Sequence, residues 1–220
     1  MATLSSPKEL DIKIKAEKLA YWFFRLNGCF TFENFVVHRD IRGSQLTEVD
    51  IIALRFPHRQ ELRTSDHPME DHQLFQGQEK YASVFFVEVK RNKGPINKSW
   101  RNPQNMQSVL NAIGVLHNKD IKTASEALCR DYRFSQKEVS ISFVKVGKTC
   151  SSSHDIPLLT WDEILRWMHS RYVDYAEQKA DHKQWDGVGT DLYKLATEEC
   201  ESNPDEFVRY CFQQAGISDC

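Results

Sequence analysis

SVFFVEVKRNKG, residues 83–94, opens as a run of β-branched and aromatic side chains and closes on charge. The nearly unbroken apolar character from Tyr81 to Val89 predicts a strand with both faces covered, as in the middle of a layered α/β sheet. Glu88 lies inside that run, although a buried carboxylate without a partner is costly. Lys90 follows two residues later and shares a strand face with Glu88, because side chains alternate along a strand. The pair therefore reads as chemistry placed at the end of a core strand.

Upstream, Phe30 to Val37 (FTFENFVV) and Glu48 to Phe56 (EVDIIALRF) are rich in the same residue types, with turn composition around Arg42 to Ser44. They predict two adjacent antiparallel strands. The second carries another acid among apolar neighbours, Asp50. From Leu10 to Leu26 the apolar residues recur at helical spacing, and Asn27-Gly28 supplies the stop. Glu17, three after Ile14 and four before Tyr21, lies along the core-facing side of that helix. Between Phe56 and the central strand, residues 57–81 are hydrophilic and contain three of the eight histidines. A connection of that length is expected to be functional or mobile.

Downstream, Asn102 and Pro103 form a helix start ahead of the apolar stripe Met106, Val109, Leu110, Ile113 and Leu116. Ile121 to Arg130 suggests a short helix and Val139 to Val146 a strand. Ile156 to Leu159 reads as a further short strand. Thr160 with Glu163 has capping-box spacing before a helix running to about Ala180. Gly187 and Gly189 are expected to break the chain before helices over Thr190 to Cys200 and Pro204 to Gln214, the latter capped by Asn203 and closed by Gly216. The expected fold class is α/β, a mixed central sheet flanked by helices. Residues 1–180 would form the core domain, and 181–220 a helical C-terminal extension packed on it.

Composition narrows the function classes. The 220 residues carry 29 Lys and Arg against 31 Asp and Glu, a net charge of −2, so any nucleic-acid binding has to come from a local patch. The six cysteines include no CxxC pair, which argues against a zinc ribbon or a redox motif. No basic-then-apolar leader or membrane-length apolar run is present, so a cytoplasmic protein is expected.

The helix with Glu17, the strand with Asp50 and the strand ending in Glu88 and Lys90 together resemble the PD-(D/E)xK nucleases, the restriction-endonuclease-like superfamily that includes Holliday-junction resolvases and Mrr-type enzymes. The (D/E)xK spacing alone is weak, since it occurs five times in this chain; only Glu88 with Lys90 ends a core strand. The proline that usually precedes the family's Asp is Val49 here, and the gap from Asp50 to Glu88 is wide, making residues 57–81 an insertion. The resemblance implies a metal-dependent endonuclease that hydrolyses DNA phosphodiesters in defence, mobile-element or repair processes. Asp50, Glu88, Glu17 and the Val89 carbonyl would hold Mg²⁺ or Mn²⁺. Lys90 would orient the attacking water or stabilise developing charge. A homodimer, with one site for each DNA strand, is in keeping with that superfamily.

Arg91, Lys93, Lys98 and Arg101 follow the motif with no intervening acid before Asp120, and Trp100 lies among them. They are candidates for DNA phosphates, joined by Gln107 on the next helix. Glu48 has the face parity of Asp50 but lies nearer the strand's rim. His67, Glu70, Asp71 and His72 form a second acid–histidine group, which lacks the i, i+4 spacing of a zinc hydrolase. The competing account is a noncatalytic nucleic-acid-binding or partner-binding protein on the same scaffold.

Overall fold

Apolar residues on both sides of one strand require a neighbour on each edge and a helical layer on each face. In the computed structural model, which describes residues 13–38, 45–148, 156–180 and 185–218, that strand is β3 (Ala82–Val89), buried from Ser83 onward. On one edge it pairs antiparallel with β2 (Gln45–Arg55), from Arg55 opposite Ser83 to Ile51 opposite Val87. On the other it pairs parallel with β5 (Val139–Gly147), Ala82 matching Val139 and Val89 matching Val146. β1 (Phe30–His38) adds antiparallel to the outer edge of β2. The far edge of β5 is shared: β4 (Arg133–Gln136) runs antiparallel along its first half, and β6 (Leu158–Thr160) parallel along its last three residues. The result is an open, mixed six-stranded sheet in the order β1-β2-β3-β5-β4, with β6 also against β5.

Two apolar clusters cover its faces. On one, α1 (Ala16–Leu26) and α4 (Trp161–Asp174) bury Leu19, Phe23, Phe24, Ile164, Leu165 and Met168 against Ile51, Phe85, Val87 and Val144. On the other, α2 (Pro103–Ile113) and α3 (Asn118–Asp131) bury Met106, Val109, Leu110, Ala124 and Leu128 against Ile52, Phe86 and Phe143. After the short α5 (Ala176–Lys179), α6 (Gly187–Lys194), a π-turn over Leu195–Glu199 and α7 (Pro204–Ala215) complete the first layer. Leu192, Leu195, Phe207 and Cys211 belong to the same cluster as α1 and α4, so the tail helices share the core. Among the described residues no helix is long and apolar enough to cross a membrane.

The capping signals act as their chemistry requires. The Thr160 hydroxyl accepts from Glu163 N while the Glu163 carboxylate accepts from Thr160 N. Asn102 and Asn203 cap α2 and α7, each ahead of a proline. Several expectations need correction. Lys13 to Lys15 precede the first helix in non-helical conformation, Lys15 being extended, and Leu10 and Ile12 lie outside the described residues, as does the Arg42 to Ser44 turn. α2 stops at left-handed Gly114, leaving Leu116 beyond it, whereas α3 is a full 14-residue helix. Gly187 and Gly189 do not break the chain. Asp186 accepts from Gly189 N and starts α6 there, and a side chain at Gly189 would collide with the Trp22 ring. β4 was not anticipated: four residues with one aromatic carry almost no periodicity.

Residues 57–81 are tied to the core. Met69, His72 and Phe75 are buried. Asp71 accepts from both Arg55 and Arg59 and lies 3.5 Å from Arg171 on α4, while Glu61 pairs with Arg59 and with Lys179 at 3.0 Å. His72 is also structural: its Nδ1 accepts from Leu74 N, and its Nε2 faces Glu163 at 3.3 Å. The His67 to His72 segment is thus engaged in packing, with Asp71 and His72 both committed to protein partners.

Candidate active site

At the Asp50 end of β2 the ladder changes. Its last pair with β3 is Ile51 opposite Val87. Beyond it, the Val89 N–H donates to the Asp50 side chain, Oδ2, at 2.8 Å. Across β1, Glu33–Ile51 and Phe35–Val49 pair while Asn34, opposite Asp50, adopts a left-handed backbone (φ 51°), a conformation Asn tolerates better than most residues. Val49 packs in the α2–α3 cluster, but Ile51, two residues on, packs in the α1–α4 cluster. A regular strand keeps such residues on one face; β2 twists at Asp50, which frees the carboxylate from strict alternation.

Glu88 is 5 % exposed, and three donors hold it. Oε1 accepts from Lys90 Nζ at 2.6 Å and from Asn97 N at 3.2 Å, and Oε2 accepts from Trp100 Nε1 at 2.6 Å. Trp100 lies nearly parallel to Phe86 (6.1 Å, 13°) and edge-on to Phe143 (4.9 Å), so its indole N–H is aimed by packing. Lys90 is fixed through its backbone: its N–H donates to Val146 O and its carbonyl accepts from Trp161 Nε1, both at 2.9 Å. A Cβ at Gly147 would stand 3.2 Å from that carbonyl, so β5 approaches closely at this point because it has no side chain there.

Asp50 feels the charges of the other three predicted residues. Burial, above all, pushes the Asp50 carboxyl up to about 6; the charges of Glu88 and Glu17 add to the rise, while the Val89 N–H and Lys90 oppose it. Glu17, on the first turn of α1, has a buried Oε2 with no hydrogen-bond partner. Three carboxylates thus act on one another here beside one paired ammonium, and burial together with like charges raises the carboxyl of Asp50. Hard carboxylate oxygens suit Mg²⁺ or Mn²⁺. Among the described residues, no three acidic, histidine or cysteine side chains are already gathered around one point. Glu88 is turned instead toward Trp100 and Asn97. The residue types fit a divalent ion, and Glu88 would have to exchange at least one protein donor for it.

The other predicted residues lie around this centre. Arg91, Lys93, Lys98 and Arg101 are exposed on the segment after β3, and Gln107 is half-buried on α2. Glu48 is exposed and accepts from Gln45 at 3.1 Å, a rim position. Trp100 and Trp161 carry no site signal in the sequence, and Asn97, a candidate there for phosphate, meets Glu88 through its backbone N–H. Trp100 was read as part of a basic loop, and only its apolar type hinted at burial. No protein-family model, curated protein or solved structure matched the chain when each was compared with it.

Proposed function

We propose that the protein is a metal-dependent endonuclease of restriction-endonuclease-like fold that hydrolyses DNA phosphodiester bonds. The observation that carries this reading is the half-buried Asp50 on β2, bonded to the Val89 N–H beside the Glu88–Lys90 pair and within the electrostatic reach of Glu88, Lys90 and Glu17, its carboxyl pushed up to about 6 first by burial and then by the two acids. Asp50, Glu88, Glu17 and the Val89 carbonyl would hold Mg²⁺ or Mn²⁺. The bound cation supplies polarisation of a phosphate oxygen and acidity to a water. Lys90, its backbone held by Val146 and Trp161 and its ammonium on Glu88, would stabilise charge building on the phosphoryl oxygens. Arg91, Lys93, Lys98 and Arg101 offer exposed cations to neighbouring phosphates. A cytoplasmic homodimer acting on both strands belongs to the same proposal.

One observation favours a second reading, a noncatalytic DNA- or partner-binding protein: both Glu88 oxygens already have protein donors. Plasmid and single-stranded DNA incubated with increasing Mg²⁺ or Mn²⁺ separate the two. The nuclease reading predicts metal-dependent nicking that falls by about 10²–10³-fold in Asp50→Ala and in Lys90→Ala. Cleavage that survives both substitutions overturns the site; no cleavage with any metal favours the binding protein.

A further inference from the structure

β5 brings a second lysine to this end of the sheet. Lys145 is the direct partner of Glu88 in the parallel β3–β5 ladder, so both side chains leave the same face. It is 8 % exposed. Its Nζ donates to the carbonyl of Gly94 at 2.6 Å, and among the described residues no carboxylate lies within ion-pair distance of it. Gly147 brings it beside Lys90: a Cβ there would stand 3.4 Å from Lys90 Cβ and 3.8 Å from Lys145 Cε. A buried ammonium satisfied by one neutral carbonyl is poorly compensated, and a charge-assisted bond to an anionic oxygen is roughly twice as strong as a neutral one.

Gly94 lies in the segment 91–97 that carries Arg91 and Lys93. That segment is fastened to the site at its middle and at its far end: Gly94 O to Lys145, and Asn97 N to Glu88. Asn92 is fastened too, since Ser218 Oγ donates to its Oδ1 at 2.7 Å while accepting from Lys148 Nζ, another buried lysine, at 3.4 Å. Lys145 and one oxygen of Glu88 are therefore both bonded to the backbone of this one segment. We infer that Lys145 is a second phosphate-binding residue of this site, capped by the Gly94 carbonyl until a substrate phosphate takes that carbonyl's place. This rests on the reading of the site as one for phosphodiesters. It adds that the protein grips a nucleic-acid phosphate through β5 as well as through Lys90.

Equilibrium binding of a labelled DNA duplex, measured by anisotropy in Ca²⁺ across a series of salt concentrations, tests it on the full chain. Lys145→Met removes the charge at similar length. Lys145→Gln keeps a donor for Gly94 without the charge, and Lys145→Arg keeps the charge. The inference predicts that Met and Gln each weaken binding about tenfold and flatten the slope of log affinity against log salt by about one, while Arg retains the parent slope. Thermal melts show which variants are folded. Binding by Gln equal to the parent, or weaker binding with an unchanged salt slope, assigns Lys145 to holding the strap and overturns the inference alone. Failure of the parent to bind DNA at all overturns the proposed function with it.

Discussion

Two clusters of buried charge lie toward opposite ends of the β2–β3 ladder and are built to opposite rules. Around Asp71, cations outnumber the acids: Arg55, Arg59 and Arg171 converge on one carboxylate, and Glu61 is paired with both Arg59 and Lys179. Those partners, Lys179 first, hold the Glu61 carboxyl below its ordinary range despite its burial. Around Asp50, acids outnumber cations, the Glu17 Oε2 has no partner, and the Asp50 carboxyl is pushed up to about 6. The first arrangement fastens residues 57–81 to the core. The second leaves the Glu17 Oε2 unpartnered and the Asp50 carboxyl raised, which costs stability; on the proposed function, a bound cation would return it.

The largest test of this contrast is Asp71→Ala. Removing the acid leaves three guanidinium groups clustered in a mostly buried position, and a loss of about 3–5 kcal/mol is expected in urea unfolding. A loss under about 1 kcal/mol would mean that the network contributes no more than an exposed ion pair. Asp50→Asn should act in the other direction. With chelator present at pH 7 it removes a repelled charge while keeping an acceptor for Val89 N, so stability should rise by on the order of 1 kcal/mol. Destabilisation there would show that Asp50 is a structural residue like Asp71.

The smallest effect is in pH. The Asp50 carboxyl is raised from 3.8 to about 6, so the folded chain binds its proton more tightly than the unfolded chain. Its contribution is fully present below about pH 4 and is lost as pH rises through about 6. Glu61 is lowered from 4.5, so its contribution is present above that value and lost as pH falls through the folded value. Unfolding free energies of the metal-free parent, compared with Asp50→Asn and Glu61→Gln from pH 7 down to about pH 3, should diverge with opposite slopes, the Asp50 slope up to about pH 6 and the Glu61 slope below 4.5. Added divalent cation should stabilise the parent above about pH 6 and progressively less below it, as protons compete for Asp50. Parallel slopes for both variants would erase the distinction between the clusters.

The sequence displays one of these clusters better than the other. Asp50 and Glu88 were legible because each interrupts an apolar run, and Lys90 because a strand's alternation places it on the Glu88 face. The helices with local signals were legible for the same kind of reason: Thr160 with Glu163, and Asn203, Pro204 and Gly216, act within a few residues of one another. What pairs across long separations was hidden. The Asp71 network joins residues up to 118 positions apart, so residues 57–81 looked merely hydrophilic. The bond from Trp100 to Glu88 depends on the packing of Phe86 and Phe143. Lys145 was hidden by its own strand, where a polar residue after Val144 looks like ordinary alternation until β3 is seen beside it. The twist at Asp50 had one sequence trace, Asn34, whose partner strand position no local pattern reveals.

A crystal grown with Mn²⁺ near pH 7.5 and measured at a wavelength sensitive to manganese addresses the account at its root. An anomalous peak bounded by the side chains of Asp50 and Glu88, with Trp100 or Asn97 released from Glu88, is the predicted result. Full-strength diffraction with no peak there, and Glu88 still bonded to Trp100, Asn97 and Lys90, would contradict it.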